Sequence, residues 1–292
     1  MTITAIGGVD LRQPLDSATV AEIRGAWLAH QVIWFPGQPL SLDDLERFTL
    51  SMGTWGRTDF IKPVDGHPNV LELRREADET SSNFGAGWHS DYSFQPEPPS
   101  ATLLLSKVTP PVGGDTLFAD QYAAYDDLSD AMKKMLAPLN AVHSAALPYS
   151  KEGFYANEGK ARSMTIVPSD ETKKTQLHPL VRTHPETGRK CLYVNRVYTI
   201  GIEGMSRDEG EALVGFLAKH STQEKYVYRH RWQPDMLTMW DNRCVQHFAD
   251  GGYDGHRRVM FRTTTAGDRP RWTRGLGGSR HVAIRHPCSF AL

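Results

Sequence analysis

His89 and Asp91 stand two residues apart in the stretch Gly87-Trp88-His89-Ser90-Asp91-Tyr92. In an extended strand successive side chains point to opposite faces, so an imidazole and a carboxylate at this spacing share a face and can bind one metal ion. A third ligand, His247, follows Trp240-Asp241-Asn242-Arg243 far downstream. Two histidines and one carboxylate on one side of a metal leave adjacent positions open, which is what Fe(II) needs to accept a chelating co-substrate and dioxygen. The same set can hold Zn(II) with one open position, so a zinc-dependent hydrolase is the alternative expectation. An H-x-D pair alone is common; the signal lies in its combination with the distant histidine.

A second run adds charge. In Arg258-Val259-Met260-Phe261-Arg262-Thr263-Thr264, period two places Arg258, Met260, Arg262 and Thr264 on one face. Two arginines directed into an interior require anions to pair with, and a dicarboxylate co-substrate would supply one. The alternative is an exposed arginine face held in structural ion pairs. If Arg258 serves the co-substrate, Arg262, four residues on, remains for an anionic group of a substrate. Lys62 and Asn195 are further candidates for substrate contact. The first lies in the irregular stretch 54–82 and the second at the end of an apolar run; a solvated connection and a turn cap are their plainer readings.

These residues need rigid elements to bring them together. Val20, Ile23, Trp27 and Leu28 recur at helical spacing and predict a helix over 17–30, with Thr19 and Glu22 as a capping box. A strand is expected at Val32–Phe35, closed by Pro36-Gly37, and a helix from Ser41 to Met52 with Ser41 as its N-cap. Strands are expected at 69–73, around His89, at 101–105, at 116–118, at 178–181, at 190–195, through Leu237–Trp240 and over Val259–Thr264. One helix is expected from Tyr122 to Leu136, with Leu128, Met132, Met135 and Leu136 inward, and another after the Ser206/Glu209 capping box, carrying Leu213, Phe216 and Leu217. Residues 148–176 lack a period and read as a lid or a surface loop.

Strands outnumber helices without a regular βαβ alternation, which favours an antiparallel sandwich or jelly roll over a doubly wound sheet. One domain over 1–292, ending in a basic tail at 269–292, is the simplest organisation. That tail carries Arg269, Arg271, Arg274, Arg280 and Arg285, yet the formal net charge of −1 gives no whole-chain reason to expect nucleic acid as partner. No stretch approaches the roughly 20 apolar residues of a membrane span, so no membrane partner is expected. Cys191, Cys244 and Cys288 are odd in number and show no C-x-x-C spacing, which predicts reduced thiols in a cytoplasmic protein. Association between copies of the chain is also expected.

The sequence resembles the taurine dioxygenase and 2,4-dichlorophenoxyacetate dioxygenase family of Fe(II)- and 2-oxoglutarate-dependent oxygenases. The resemblance runs from Gly7-Gly8-Val9-Asp10-Leu11 to Gly267-Asp268-Arg269-Pro270 and rests on Trp88-His89-Ser90-Asp91, Gly113-Gly114-Asp115-Thr116, Trp240-Asp241-Asn242-Arg243 with His247, and the strand bearing Arg258 and Arg262. It implies a double-stranded β-helix (jelly roll) with flanking helices. His89, Asp91 and His247 match the iron ligands. Arg258 and Thr116 match the groups that hold the distal carboxylate of 2-oxoglutarate, and Arg262 matches an arginine that can face the substrate's acid. The family usually has threonine where this chain has Ser90. The activity implied is hydroxylation of a C–H bond in a small, anionic organic substrate such as a sulfonate or aryloxyalkanoate, consuming O2 and releasing succinate and CO2; a natural-product tailoring oxygenase of the same mechanism is the alternative.

Overall fold

The computed structural model describes residues 3–273. Most of the basic tail, and Cys288 with it, therefore lies outside the described residues. Six strands form the larger sheet, in the spatial order Thr4–Ala5, Val32–Phe35, Leu237–Asp241, Ala101–Val108, Arg258–Thr265, Leu71–Arg75. Facing it is a three-stranded sheet in the order Val227–His230, Thr116–Asp120, Val245–Ala249. Apart from the short parallel pairing of Thr4–Ala5 with Val32–Phe35, the neighbours in both sheets run antiparallel. This is the jelly-roll arrangement expected.

Alternation along the strands sorts two cores. Leu103, Leu105, Leu237, Met239, Ile33 and Phe35 turn outward onto the helices Ser17–His30 and Leu42–Met52, meeting Ile23, Trp27, Leu45, Phe48 and Met52. Their neighbours Leu104, Trp240, Val32 and Met260 turn inward and pack with Phe118 and Val245 of the smaller sheet. Sheet-to-sheet packing thus builds an apolar floor beneath the residues of interest. Truncating a fully buried floor residue such as Trp240 to alanine would be expected to destabilise by roughly 3–5 kcal/mol. A third sheet, Thr199–Ile202, Asn140–Ser144 and Thr175–Pro179, carries its own core with the helix Arg207–Ser221. In that helix Leu217 is buried while Phe216 is half exposed, against expectation.

Several local expectations are corrected. The first helix is capped by Asp16, whose carboxylate accepts from the Thr19 amide at 2.7 Å, rather than by Thr19; an aspartate fits the N-cap better. The helix expected at 122–136 is two helices, Gln121–Asp126 and Asp130–Leu136, because Ser129 caps a new start by accepting from the Met132 amide at 3.2 Å. The break turns Met135 outward, to 45% exposure.

The largest correction concerns His89. No strand forms there: His89 makes a single bridge with His247, and the chain turns from Asp91 onward, with Tyr92 at φ 50° and the Gln95 amide donating to the Tyr92 carbonyl at 2.8 Å. The strand is absent, but the expected alternation holds over these three residues: His89 and Asp91 approach to 3.7 Å while Ser90 points to the Val245 carbonyl.

Candidate active site

A reciprocal pair of backbone hydrogen bonds fixes the two histidines. The His89 amide donates to the His247 carbonyl at 3.1 Å, and the His247 amide returns to the His89 carbonyl at 2.8 Å. Their rings lie 4.2 Å apart, and the Nε2 atoms of His89 and His247 sit 3.7 and 3.9 Å from Asp91 Oδ1. One ligand atom from each of the three residues lies within 4.8 Å of the others, a spacing one metal ion can span.

His89 and Asp91 are each oriented by a partner that the sequence did not single out for that purpose. His89 Nδ1–H donates to the Gly87 carbonyl at 2.6 Å, which leaves the Nε2 lone pair for a metal. Asp91 Oδ2 accepts from the Thr102 hydroxyl at 2.6 Å, Thr102 accepts from Asn242 Nδ2 at 2.8 Å, and Asn242 Oδ1 accepts from Trp240 Nε1 at 3.1 Å. Thr102 and Asn242 were invisible as partners because they meet only through the register Trp240↔Thr102. His247 Nδ1 is buried with no hydrogen-bond partner, and its ring is held by packing 4.8 Å from Trp240. Ser90 points away from the ligands, its hydroxyl donating to the Val245 carbonyl at 3.0 Å.

The electrostatics suit ligation. Burial dominates for both imidazoles and drives them towards the neutral form, taking His247 to about 3. Burial opposes ionisation of Asp91, but Arg262 and the two histidines outweigh it and bring the carboxyl to about 2. The residues thus present two neutral nitrogens and one carboxylate, the forms a divalent metal requires.

The remainder of Trp240-Asp241-Asn242-Arg243 is structural. Asp241 accepts from Arg243 at 2.7 and 2.8 Å and from His184 Nε2 at 3.0 Å; Arg243 also reaches Glu186 at 2.6 Å, which pairs with Arg24 at 2.7 Å. His184, Asp241 and Cys244 have metal-ligand spacing too, but His184 and Asp241 are committed to this network and burial pushes the Cys244 thiol up. Cys191 and Cys244 are both free thiols.

Arg258 and Arg262 both face the cavity that His89, His247 and Thr116 line. Arg258 is buried with no carboxylate partner among the described residues: Nη2 donates to the Gly114 carbonyl at 3.3 Å, Nε has no partner there, and Tyr253 lies 5.9 Å away. Burial pulls its pKa below the ordinary arginine value, with Tyr253 and Asp115 only opposing the shift. A buried guanidinium without an anion is a site prepared for one. Thr116 accepts from Trp232 Nε1 at 3.0 Å, so its own proton remains to be donated.

The double glycine beside it is there for space. Gly113 and Gly114 both have positive φ, and a Cβ on Gly113 would stand 2.5 Å from the Gly252 carbonyl oxygen, a backbone atom that cannot swing away. Gly113→Ala should therefore displace the turn that supplies Arg258's carbonyl partner. We expect a loss of stability exceeding about 1 kcal/mol together with weaker 2-oxoglutarate binding. A variant with unchanged melting and unchanged co-substrate affinity would contradict this.

Two proposed substrate contacts lie elsewhere. The Lys62 side chain is 59% exposed and pairs with Asp65 at 3.2 Å, away from the cavity, because residues 60–62 turn their backbone towards the segment 165–167. Asn195 is buried, but its carbonyl accepts from the Tyr198 amide at 2.9 Å and its amide donates to Ser93 at 3.1 Å. It therefore caps a turn and braces the Asp91 loop without lining the cavity. The segment 148–176, by contrast, covers the site. Arg162 and Met164 wall the inner cavity, while Tyr149, Phe154 and Tyr155 wall an adjoining outer cleft. Asp91's turn is further held by His178, which bonds the Gln95 carbonyl at 2.9 Å, and by His143, 3.0 Å from Ser93.

Those supports, together with His230, whose Nε2 lies 2.9 Å from the Thr238 hydroxyl, carry a pH signature. Burial lowers His143 to about 3, and His178 and His230 to about 4, against the usual 6.5. A histidine held neutral when folded contributes stability that is complete above 6.5 and is lost as pH falls from there towards its folded value, because the unfolded chain binds the proton first. The unfolding free energy of metal-free protein should fall steadily from pH 7 to 5, at a limiting slope of about 1.4 kcal/mol per pH unit for each imidazole, and the urea midpoint should fall with it. A flat midpoint over that range would show that these rings are not held neutral.

The fold and the geometry agree with what known proteins show. The family model described as taurine catabolism dioxygenase TauD, TfdA family matches residues 2–264, and the chain belongs to this family. It is 31% identical over 276 residues to an alkylsulfatase of Acinetobacter baylyi, spanning 94% of this chain and 84% of the relative. It is 35% identical over 277 residues to the alpha-ketoglutarate-dependent 2,4-dichlorophenoxyacetate dioxygenase of Cupriavidus pinatubonensis, spanning 89% and 93%. Among solved structures, AAD-2 in complex with Mn(II) and N-oxalylglycine superposes with a TM-score of 0.74 at 32% identity, over 93% of this chain and 96% of that one. The protein is a 2-oxoglutarate-dependent dioxygenase.

Proposed function

We propose that the protein hydroxylates a C–H bond of a small organic acid, using Fe(II) held by His89, Asp91 and His247, and releases succinate and CO2. The observation that carries this reading is Arg258: a buried guanidinium with no carboxylate partner among the described residues, on the wall of the same cavity as His89 and His247. A zinc hydrolase would leave it without a task. In the proposed arrangement the guanidinium fork and the Thr116 hydroxyl receive the distal carboxylate of 2-oxoglutarate, which orients its other end towards the metal. Iron with 2-oxoglutarate and dioxygen supplies the oxidant that removes hydrogen from the substrate.

The chain's own residues position that substrate. Arg262 shares the cavity wall and the strand face with Arg258 and is assigned to the substrate's acid. The inner space measures about 60 Å³ and the outer cleft about 300 Å³, so most of the substrate falls to the cleft. There Phe84, Tyr149, Phe154, Tyr155 and Val197 suit an aryl or alkyl body. The relatives' names include a sulfate ester dioxygenase and phenoxypropionate dioxygenases, which supports sulfonates, sulfate esters and aryloxyalkanoates as the class. The test is succinate formation with Fe(II) and 2-oxoglutarate across a panel of these acids. Failure of every acid to raise succinate above the substrate-free rate, or metal-dependent hydrolysis without O2, would overturn the reading.

A further inference from the structure

Arg262 is not an open arginine. Its Nη1 donates to Asp91 Oδ1 at 3.2 Å, its Nη2 donates to the Tyr92 hydroxyl, and its guanidinium lies 5.1 Å over the Tyr92 ring. Only Nε is buried without a partner. The residue making the second contact is itself unusual: Tyr92 has φ 50°, a left-handed conformation that a bulky side chain adopts only when its surroundings enforce it. The enforcement is visible. Its ring packs edge-on to Phe94 at 5.7 Å within a cluster that includes Tyr149 and Tyr198. Backbone strain directly after a metal-site carboxylate is thus spent on aiming one phenol at one guanidinium.

We propose that Tyr92 is a specificity-determining residue: its hydroxyl occupies a donor of Arg262 that the substrate's acid group needs, so an acid binds by displacing it. The proposal rests on the acid-substrate reading above. A neutral phenol oxygen accepts more weakly from a guanidinium than a carboxylate or sulfonate does. An acid therefore gains by the exchange, whereas an alcohol or ester replaces one neutral acceptor with another and gains nothing. The contact therefore sets how strongly acids bind: it lowers affinity for every acid by a similar factor and leaves neutral compounds, for which Arg262 offers no gain, unchanged.

The test is calorimetry on the full chain loaded with Mn(II) and N-oxalylglycine, which reads binding without turnover. Phenoxyacetate and hexanesulfonate serve as acids; phenoxyethanol and hexanol are their neutral counterparts. Tyr92→Phe should tighten both acids by about tenfold and leave both neutral compounds within about twofold. Tyr92→Leu, which also removes the hydroxyl, should move the acids in the same direction, so a folding defect in one variant does not decide the result. In an Arg262→Gln background, Tyr92→Phe should change neither class, since the contact it relieves is gone. If the wild type prefers the acids but Tyr92→Phe leaves them unchanged or weaker, the proposal fails and the acid-substrate reading stands. If neither acid binds better than its neutral counterpart in any of the proteins, the acid-substrate reading fails and takes the proposal with it.

Discussion

His247→Ala should bind no metal at stoichiometric concentrations and turn over no 2-oxoglutarate, while keeping its fold. The imidazole is one of three ligand atoms grouped within 4.8 Å, and the other two belong to neighbouring positions of a single loop. Loss of an outer partner of a ligand typically weakens metal affinity by roughly 10–100-fold, so loss of a ligand itself should exceed that range. The fold should survive because the His247 contribution to it is largely main-chain: its amide and carbonyl pair with His89, and alanine retains both. Metal stoichiometry and the melting curve of the variant separate the two effects. Near-normal metal content with full activity would remove His247 from the site.

Arg258→Lys should raise the 2-oxoglutarate KM on the order of 30-fold, equivalent to about 2 kcal/mol, and leave kcat at saturation much less affected. Lysine keeps the charge but has no planar fork, and it cannot reproduce two parallel hydrogen bonds to one carboxylate. It also lacks the nitrogen that now donates to the Gly114 carbonyl, so the turn at Gly113-Gly114 loses its contact with the strand. The split matters: an effect on binding without an effect on the saturated rate is what a co-substrate seat predicts. An unchanged 2-oxoglutarate dependence would move the seat elsewhere in the cavity.

What the sequence made legible was whatever depends on local chemistry. Ser206 heads the capping box that its spacing with Glu209 predicted, and Ser41 is the expected N-cap, with Asp44 closing a box around it that was not foreseen. The strand Arg258–Thr265 does direct both arginines to one side, because period two survives in a strand flanked on both sides. What stayed hidden depends on which strands become neighbours. Thr102 and Asn242 are unremarkable polar residues until register sets them side by side beneath Asp91. Directly beyond Asp91 a left-handed tyrosine turns the chain, and nothing in the residue type of Tyr92 announces that conformation. Lys62 lies outside the cavity lining for the converse reason: a charged residue in an irregular stretch carries no directional information.

The paired main-chain hydrogen bonds between His89 and His247 have a consequence for the speed and reversibility of metal uptake. Two ligands from remote parts of the chain are already joined through their backbones, so their relative placement does not wait for an ion. Ion capture then involves little loss of chain entropy, and the binding energy is not consumed in assembling the site. The amide protons of residues 89 and 247 should exchange slowly with solvent even after chelation. A site built this way should be emptied and refilled without passing through an unfolded intermediate, and a lost ion would be replaced by simple exchange.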